Sequence, residues 1–210
     1  MGASLLFLEN IYLPTSRFVS LHQIKSMTTR EQIIEIADQL IREKGYNAFS
    51  FSDISLAVGI KKASIHYYFN QKSDLGIAVI EKHIAQVNKL IARYKNKGPL
   101  KNLDVFINVY CEAKKEDKIC IVGSVATDFN TVDEKMKVHL KLFTDIVIKW
   151  VEGFLQEGRT SGVFFFEGAA RVKALMVITN LLAVVQLSRV TGMQDFKLVI
   201  KQIREDLLIL

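Results

Sequence analysis

Between Ser50 and Phe69 the chain holds two apolar patterns, each long enough for only about two helical turns, joined by Gly59-Ile60-Lys61-Lys62. Isolated helices of that length do not persist in water, because nucleation costs more than two turns of hydrogen bonds recover. The pair forms only by packing on itself and on a third element. A glycine at the junction permits the positive φ that a tight helix end needs. Ile54, Val58, Ile60, Ile65 and Phe69 fall where they close a small core between the two segments. Packing of this kind fixes the crossing angle, as in a helix-turn-helix, where one helix enters a DNA major groove and its partner lies across the backbone.

Helix signals extend on both sides. Thr28 and Thr29 each stand three residues before Glu31 and Gln32, giving two overlapping capping boxes. The helix they start buries Ile33, Ala37, Leu40 and Ile41 and stops at Gly45. Ser50, with Asp53 three residues on, caps a second helix from Phe51 to Val58, and a third runs from about Ala63 to Phe69. A fourth starts near Ser73 and continues to Tyr94, before the break Asn96-Lys97-Gly98-Pro99. Further helices are expected near 100–116, 118–129, 132–158, 168–191 and 194–209. With only two prolines in 210 residues and half of the residues apolar, the chain is expected to be all-α. Val163 to Phe166 is the one strand candidate. The expected domains are an extension over 1–26, a DNA-binding unit over 27–73 and a helical unit over 74–210; translation is expected to begin at Met1 or Met27.

If Ile65 and Phe69 face inward, the 100° step per residue turns Ala63, Ser64 and Tyr67 outward, with His66 and Tyr68 on the flanks. No acidic residue occurs between Asp53 and Asp74, whereas Lys61, Lys62 and Lys72 do. A surface that meets phosphates excludes carboxylates in this way, since each would be repelled and desolvated. Two short helices and a glycine turn also occur in helical proteins of every kind; the acid-free stretch and the paired tyrosines favour nucleic acid. The net charge of +6 agrees with a polyanionic partner without requiring one.

Other classes find little support. There is no glycine-rich phosphate loop, no His-Glu-x-x-His helix and no Gly-x-Ser-x-Gly elbow. His22, His66, His83 and His139 are scattered, and Cys111 and Cys120 lack zinc-site spacing; no cofactor and no metal are expected. The apolar run Ala174 to Leu187 is shorter than a bilayer span, and no basic residue precedes Leu5 to Leu8 as a signal peptide would require. A cytoplasmic bacterial protein without a membrane partner is expected.

The segment from Gly45 to Ile54 (Gly-Tyr-Asn-Ala-Phe-Ser-Phe-Ser-Asp-Ile), and that from Val58 to Leu75 with its Gly59 turn, Tyr68-Phe69 and Lys72, resemble the N-terminal signature of the tetracycline-repressor (TetR) family. The likeness covers about 50 residues, from Thr28 to His83. Ser55 stands where such motifs usually carry Ala, Phe49 where the family often has Thr, and Ile65-His66 where it usually has Leu-Tyr. The resemblance implies a repressor that leaves a palindromic operator when a small effector binds. It also implies that Ser50, Lys62, Tyr68 and Lys72 meet phosphates, while Lys61, Ala63, Ser64, His66 and Tyr67 face the groove.

Beyond residue 95 the resemblance implies an effector-binding bundle and two long helices that pair two subunits into a homodimer. Phe106, Tyr110, Phe143 and Trp150, with Cys120, Thr127 and His139, are the expected lining of a site for an apolar or aromatic effector. Leu181, Val185 and Gln186 are the expected dimer interface, because the 168–191 segment is apolar almost all round and must be covered on several sides. Two alternatives stay open. Lys118 lies two residues before Cys120, as a neighbour that lowers a thiol pKa would, so control by oxidation or electrophiles is one; a helical interaction protein without DNA binding is the other.

Overall fold

The computed structural model describes residues 27–208, all of whose regular elements are helices. The expectations for residues 1–26 lie outside the described residues. The helices are α1 (Thr29–Lys44), α2 (Phe51–Val58), α3 (Lys62–Tyr68), α4 (Lys72–Tyr94), α5 (Pro99–Lys115), α6 (Ile121–Thr127), α7 (Glu134–Thr160), α8 (Ala170–Thr191) and α9 (Met193–Glu205).

The N-terminal helices start and stop where their side chains require. The Thr28 hydroxyl accepts from the Glu31 amide at 3.3 Å, and the Glu31 carboxylate accepts from the Thr28 amide at 2.9 Å. Ser50 and Asp53 reproduce this box at α2, and Gly59 ends that helix at φ 76°. Ile33, Ile41, Ile54, Ile65 and Leu75 are fully buried where α1 to α4 meet. Together they close the core that neither short helix could form alone.

The larger body is built on α4 and α7, which pack along each other, with α5 and α8 against α7 and α9 against α8. Gly76 lies where α4 crosses α7; a Cβ there would stand 2.8 Å from the tip of the Met136 side chain, which would have to swing aside. Two expected elements differ. The sixth helix begins only at Ile121, because residues 116–118 turn through Asp117 at φ 51° and the Cys120 sulfur caps the helix by accepting from the Gly123 amide at 3.2 Å. Val163 to Phe166 is an irregular link rather than a strand, held by the Val163 and Phe164 amides donating to the Gly158 carbonyl and the Phe165 amide to the Leu207 carbonyl, with Phe164 buried.

α8 corrects one expectation. At 22 residues, with mean hydropathy 1.6 over its most apolar window, it has the length and composition of a membrane span, although its core apolar run is shorter. In the fold its inner face joins the core against α7 and α9 instead. Leu181 and Val185, expected at a subunit interface, are 0% and 2% exposed inside the chain's own core, so they cannot meet a second subunit. The exposed apolar residues of α8 are Val172, Leu175, Met176, Leu187 and Val190, with Gln186 among them.

Candidate nucleic-acid interface and interior cavity

α3 is anchored by Ile65 and, just past its end, Phe69, both buried. Everything between them is thereby turned to solvent. Lys61, Lys62, Ala63, His66, Tyr67 and Tyr68 are exposed and Ser64 is half-buried. Tyr67 is 83% exposed, an unusual position for a large ring. Its ring meets Tyr68 edge to face at 5.1 Å, which limits the rotamers of both. The His66 ring stands edge-on to Phe51 at 5.0 Å and so is steadied by α2. The only carboxylate on α2, Asp53, is engaged by the Ser50 hydroxyl and amide, each at 2.7 Å, and these bonds hold its pKa below the ordinary value.

Lys72 departs from the picture of a free cation. Its ammonium donates to the Phe49 carbonyl and sits 4.2 Å over the Phe49 ring and 4.8 Å over that of Tyr46. Partial burial lowers its pKa, opposed by Asp128 and Asp53. Lys72 therefore fastens the start of α4 to the loop before α2, a role that the spacing of charges did not reveal. Ser50 caps α2 while remaining exposed.

Behind this head, a partly open cavity of about 280 Å³ lies within the helical body, lined by residues of α1 and α4 to α8. Phe106, Tyr110, Cys120, Phe143 and Trp150 are brought together on its wall, as the aromatic content of those segments suggested. Phe106 is packed edge-on between Tyr110, at 5.4 Å, and Trp150, at 5.6 Å. The Trp150 indole donates to Asn102 at 3.0 Å, so it faces the space with its ring rather than its polar tip. Two expected members are elsewhere. His139 stays at the surface of α7, its Nδ1 2.8 Å from the Lys135 carbonyl and its Nε2 3.6 Å from Glu81. Thr127 donates to the Ser124 carbonyl at 2.7 Å and lines a shallower groove between α6 and α8.

Arg42 and His83 are among the polar members of the wall that escaped sequence reasoning. Nothing in the sequence singles out Arg42, and His83 is one of four scattered histidines. His83 Nε2 is 2.8 Å from Asp38, whose other oxygen accepts from Lys82 at 2.8 Å. Burial alone would raise the Asp38 carboxyl, but His83, Lys82 and Arg42 outweigh it and hold the pKa far below the usual range. Helix α1 of the reading head thus reaches the cavity through a buried charge cluster. Cys120 also differs from expectation: the Lys118 ammonium bonds Glu116 at 3.2 Å, and burial pushes the thiol up, against the Gly123 amide and Arg42. Burial likewise raises Tyr110 well above its ordinary value.

Comparison with known proteins agrees with this arrangement. Residues 33–79 match the family model described as bacterial regulatory proteins, tetR family. Over 133 residues, 59% of this chain and 67% of its relative, the sequence is 30% identical to an uncharacterized HTH-type transcriptional regulator in the lacX 3' region of Lactococcus lactis subsp. lactis. It is 22% identical over 147 residues, 67% of this chain and 73% of the relative, to the HTH-type transcriptional repressor NemR of Escherichia coli. A TetR transcriptional regulator from Legionella pneumophila superposes with a TM-score of 0.75 and 31% identity, covering 86% of this chain and 98% of that one. With its helix-turn-helix, its helical body and these relatives, the chain belongs to the TetR family of DNA-binding transcriptional regulators.

Proposed function

We propose that the chain acts as a homodimeric repressor on an inverted-repeat operator and is released when a small, largely apolar molecule enters the interior cavity. The observation that carries this reading is the contact of one cavity with both halves of the chain: its wall includes Arg42 of α1 and His83 of α4 beside the aromatic cluster of α5 and α7. Lys62 and Tyr68 serve phosphates, and Tyr67 with Ser64 and His66 reads bases.

The dimer face is the exposed apolar strip of α8, from Val172 and Met176 to Leu187 and Val190, with Met193 and Leu198 of α9 beside it. An apolar strip of this length is rarely left to water, and a two-fold pairing covers it with its own copy. Two heads must then meet successive major grooves about 34–36 Å apart. A ligand that prefers the mismatched separation by about 1–3 kcal/mol gives ordinary coupling.

Operator binding across a salt series tests the reading. Lys62→Ala weakens specific and nonspecific binding alike and lowers the salt slope by about one ion, whereas Tyr67→Ala changes base preference by roughly 1–3 kcal/mol. Unchanged salt dependence and unchanged preference in both variants refute this placement of the DNA surface. Cys120 gives the redox alternative little support, since burial keeps its thiol protonated.

A further inference from the structure

The polar groups on the cavity wall are unequal in charge. Among the described residues no carboxylate lines it, and the thiol of Cys120 and the phenol of Tyr110 are kept neutral by burial. His83 is engaged with Asp38. Arg42 remains as the one permanently charged side chain among those lining the space.

The guanidinium of Arg42 helps from nearby to hold down the Asp38 carboxyl, but it is paired directly with no acid among the described residues. Both oxygens of Asp38 are occupied, one by His83 and one by Lys82, and Glu35 accepts from Lys82 at 2.6 Å. None of the ion pairs among the described residues includes Arg42. Its Nε donates to the Ile119 carbonyl at 2.9 Å, and the Ile119 amide donates back to the Arg42 carbonyl at 3.1 Å. This reciprocal pair fixes the stem and leaves the two terminal nitrogens of the fork for a planar anion. A half-buried arginine on a largely apolar wall whose other polar groups are uncharged or, like His83, already engaged, with the neighbouring acids bonded to other cations, is a built receptor for one negative charge.

We infer that the effector is an amphiphilic monocarboxylate, with an aromatic or short aliphatic body among Phe106, Phe143 and Trp150 and its carboxylate on Arg42. This rests on the reading of the cavity as the effector site. The volume of about 280 Å³ sits at the lower end of small-molecule sites, which run from roughly 300 to 1,000 Å³, so the body is one ring or a short chain. Because Arg42 belongs to α1, the carboxylate would touch the reading head itself.

The test is a titration of the full chain followed by Trp150 fluorescence and by thermal shift. The probes are arylacetates, arylpropionates and C4–C8 alkanoates, each with its primary amide as a neutral isostere. At least one carboxylate binds about tenfold or more tighter than its amide, the range expected of a charged hydrogen bond in a desolvated site. Arg42→Gln removes the preference while the amide still binds, and Arg42→Lys restores part of it. The binding of amides in both variants shows that the cavity is intact. If amides bind wild type as well as carboxylates do, the anion assignment falls and the cavity reading stands. If no probe of either kind binds the folded wild-type protein, both fall.

Discussion

α3 and α8 bury their apolar residues under different constraints. α3 has one buried residue of its own, with Phe69 just beyond its end, so its outward face follows from the 100° step alone and Tyr67 lands in solvent. α8 is apolar around most of its circumference, and no periodicity singles out one side. Neighbouring elements decide: α5, α7 and α9 pack on this helix, Leu181 and Val185 are buried, and what is left uncovered is the strip from Val172 to Val190. A sparse pattern determines its own orientation, and a saturated one receives it from its surroundings.

The sharpest way to break this contrast is a charge on each side of α8. Leu181→Glu places a carboxylate without a partner in the core and costs about 4 kcal/mol or more, read as loss of the folded state by circular dichroism. Val190→Glu leaves the subunit's melting within about 0.5 kcal/mol of wild type and acts on association, read by sedimentation. A Leu181→Glu protein that stays folded and merely dissociates would overturn the assignment of faces.

The next effect is at Asp38, where head and body share charge. Asp38→Asn leaves Lys82 and His83 without their buried acceptor and costs about 3 kcal/mol. Since the carboxyl is lowered in the folded chain, its contribution is complete above the ordinary carboxylate range, near pH 4, and is lost as pH falls through and below it. Urea melts from pH 7 to pH 3 therefore show wild type and Asp38→Asn converging in acid. Parallel curves would mean that the carboxylate gains nothing from its neighbours.

The smallest effect falls on the short helices. Ser50→Ala removes the α2 cap and costs about 1 kcal/mol, a fall in Tm of roughly 2–4 °C for a chain of this size. If operator affinity drops by more than the folded fraction accounts for, the hydroxyl also meets phosphate.

How much was legible follows the range of the interactions involved. Thr28, Ser50 and Gly59 act within three or four residues, and they stand where their spacing placed them. Lys72 was legible as a cation but not as one turned over Tyr46 and Phe49, because the rings lie more than twenty positions away. Phe106, Phe143 and Trp150 could be grouped by composition, whereas Arg42 needed the packing of α1 against α6 to reach the cavity. His139 failed for the complementary reason: a histidine on a long amphipathic helix faces inward or outward according to its angle, and here it meets Glu81 at the surface.

The seam between α1 and the segment preceding α7 bears on modularity. Ser124 donates to the Ile41 carbonyl, Ile119 and Arg42 exchange bonds, and the Asn47 side chain spans Asp128 at 2.9 Å and Thr131 at 2.7 Å. The last carbonyls of α1 thus find donors in residues some eighty positions downstream. A chimaera that exchanges the head at the boundary between residues 73 and 74 keeps the main-chain acceptors of this seam but loses the Arg42 and Asn47 side-chain bonds unless the new head carries equivalent donors there. Exchange of heads therefore disturbs this seam least when residues 119–131 travel with the head or when donors like Arg42 and Asn47 are kept, and a drift in either partner at these positions would have to be matched by the other.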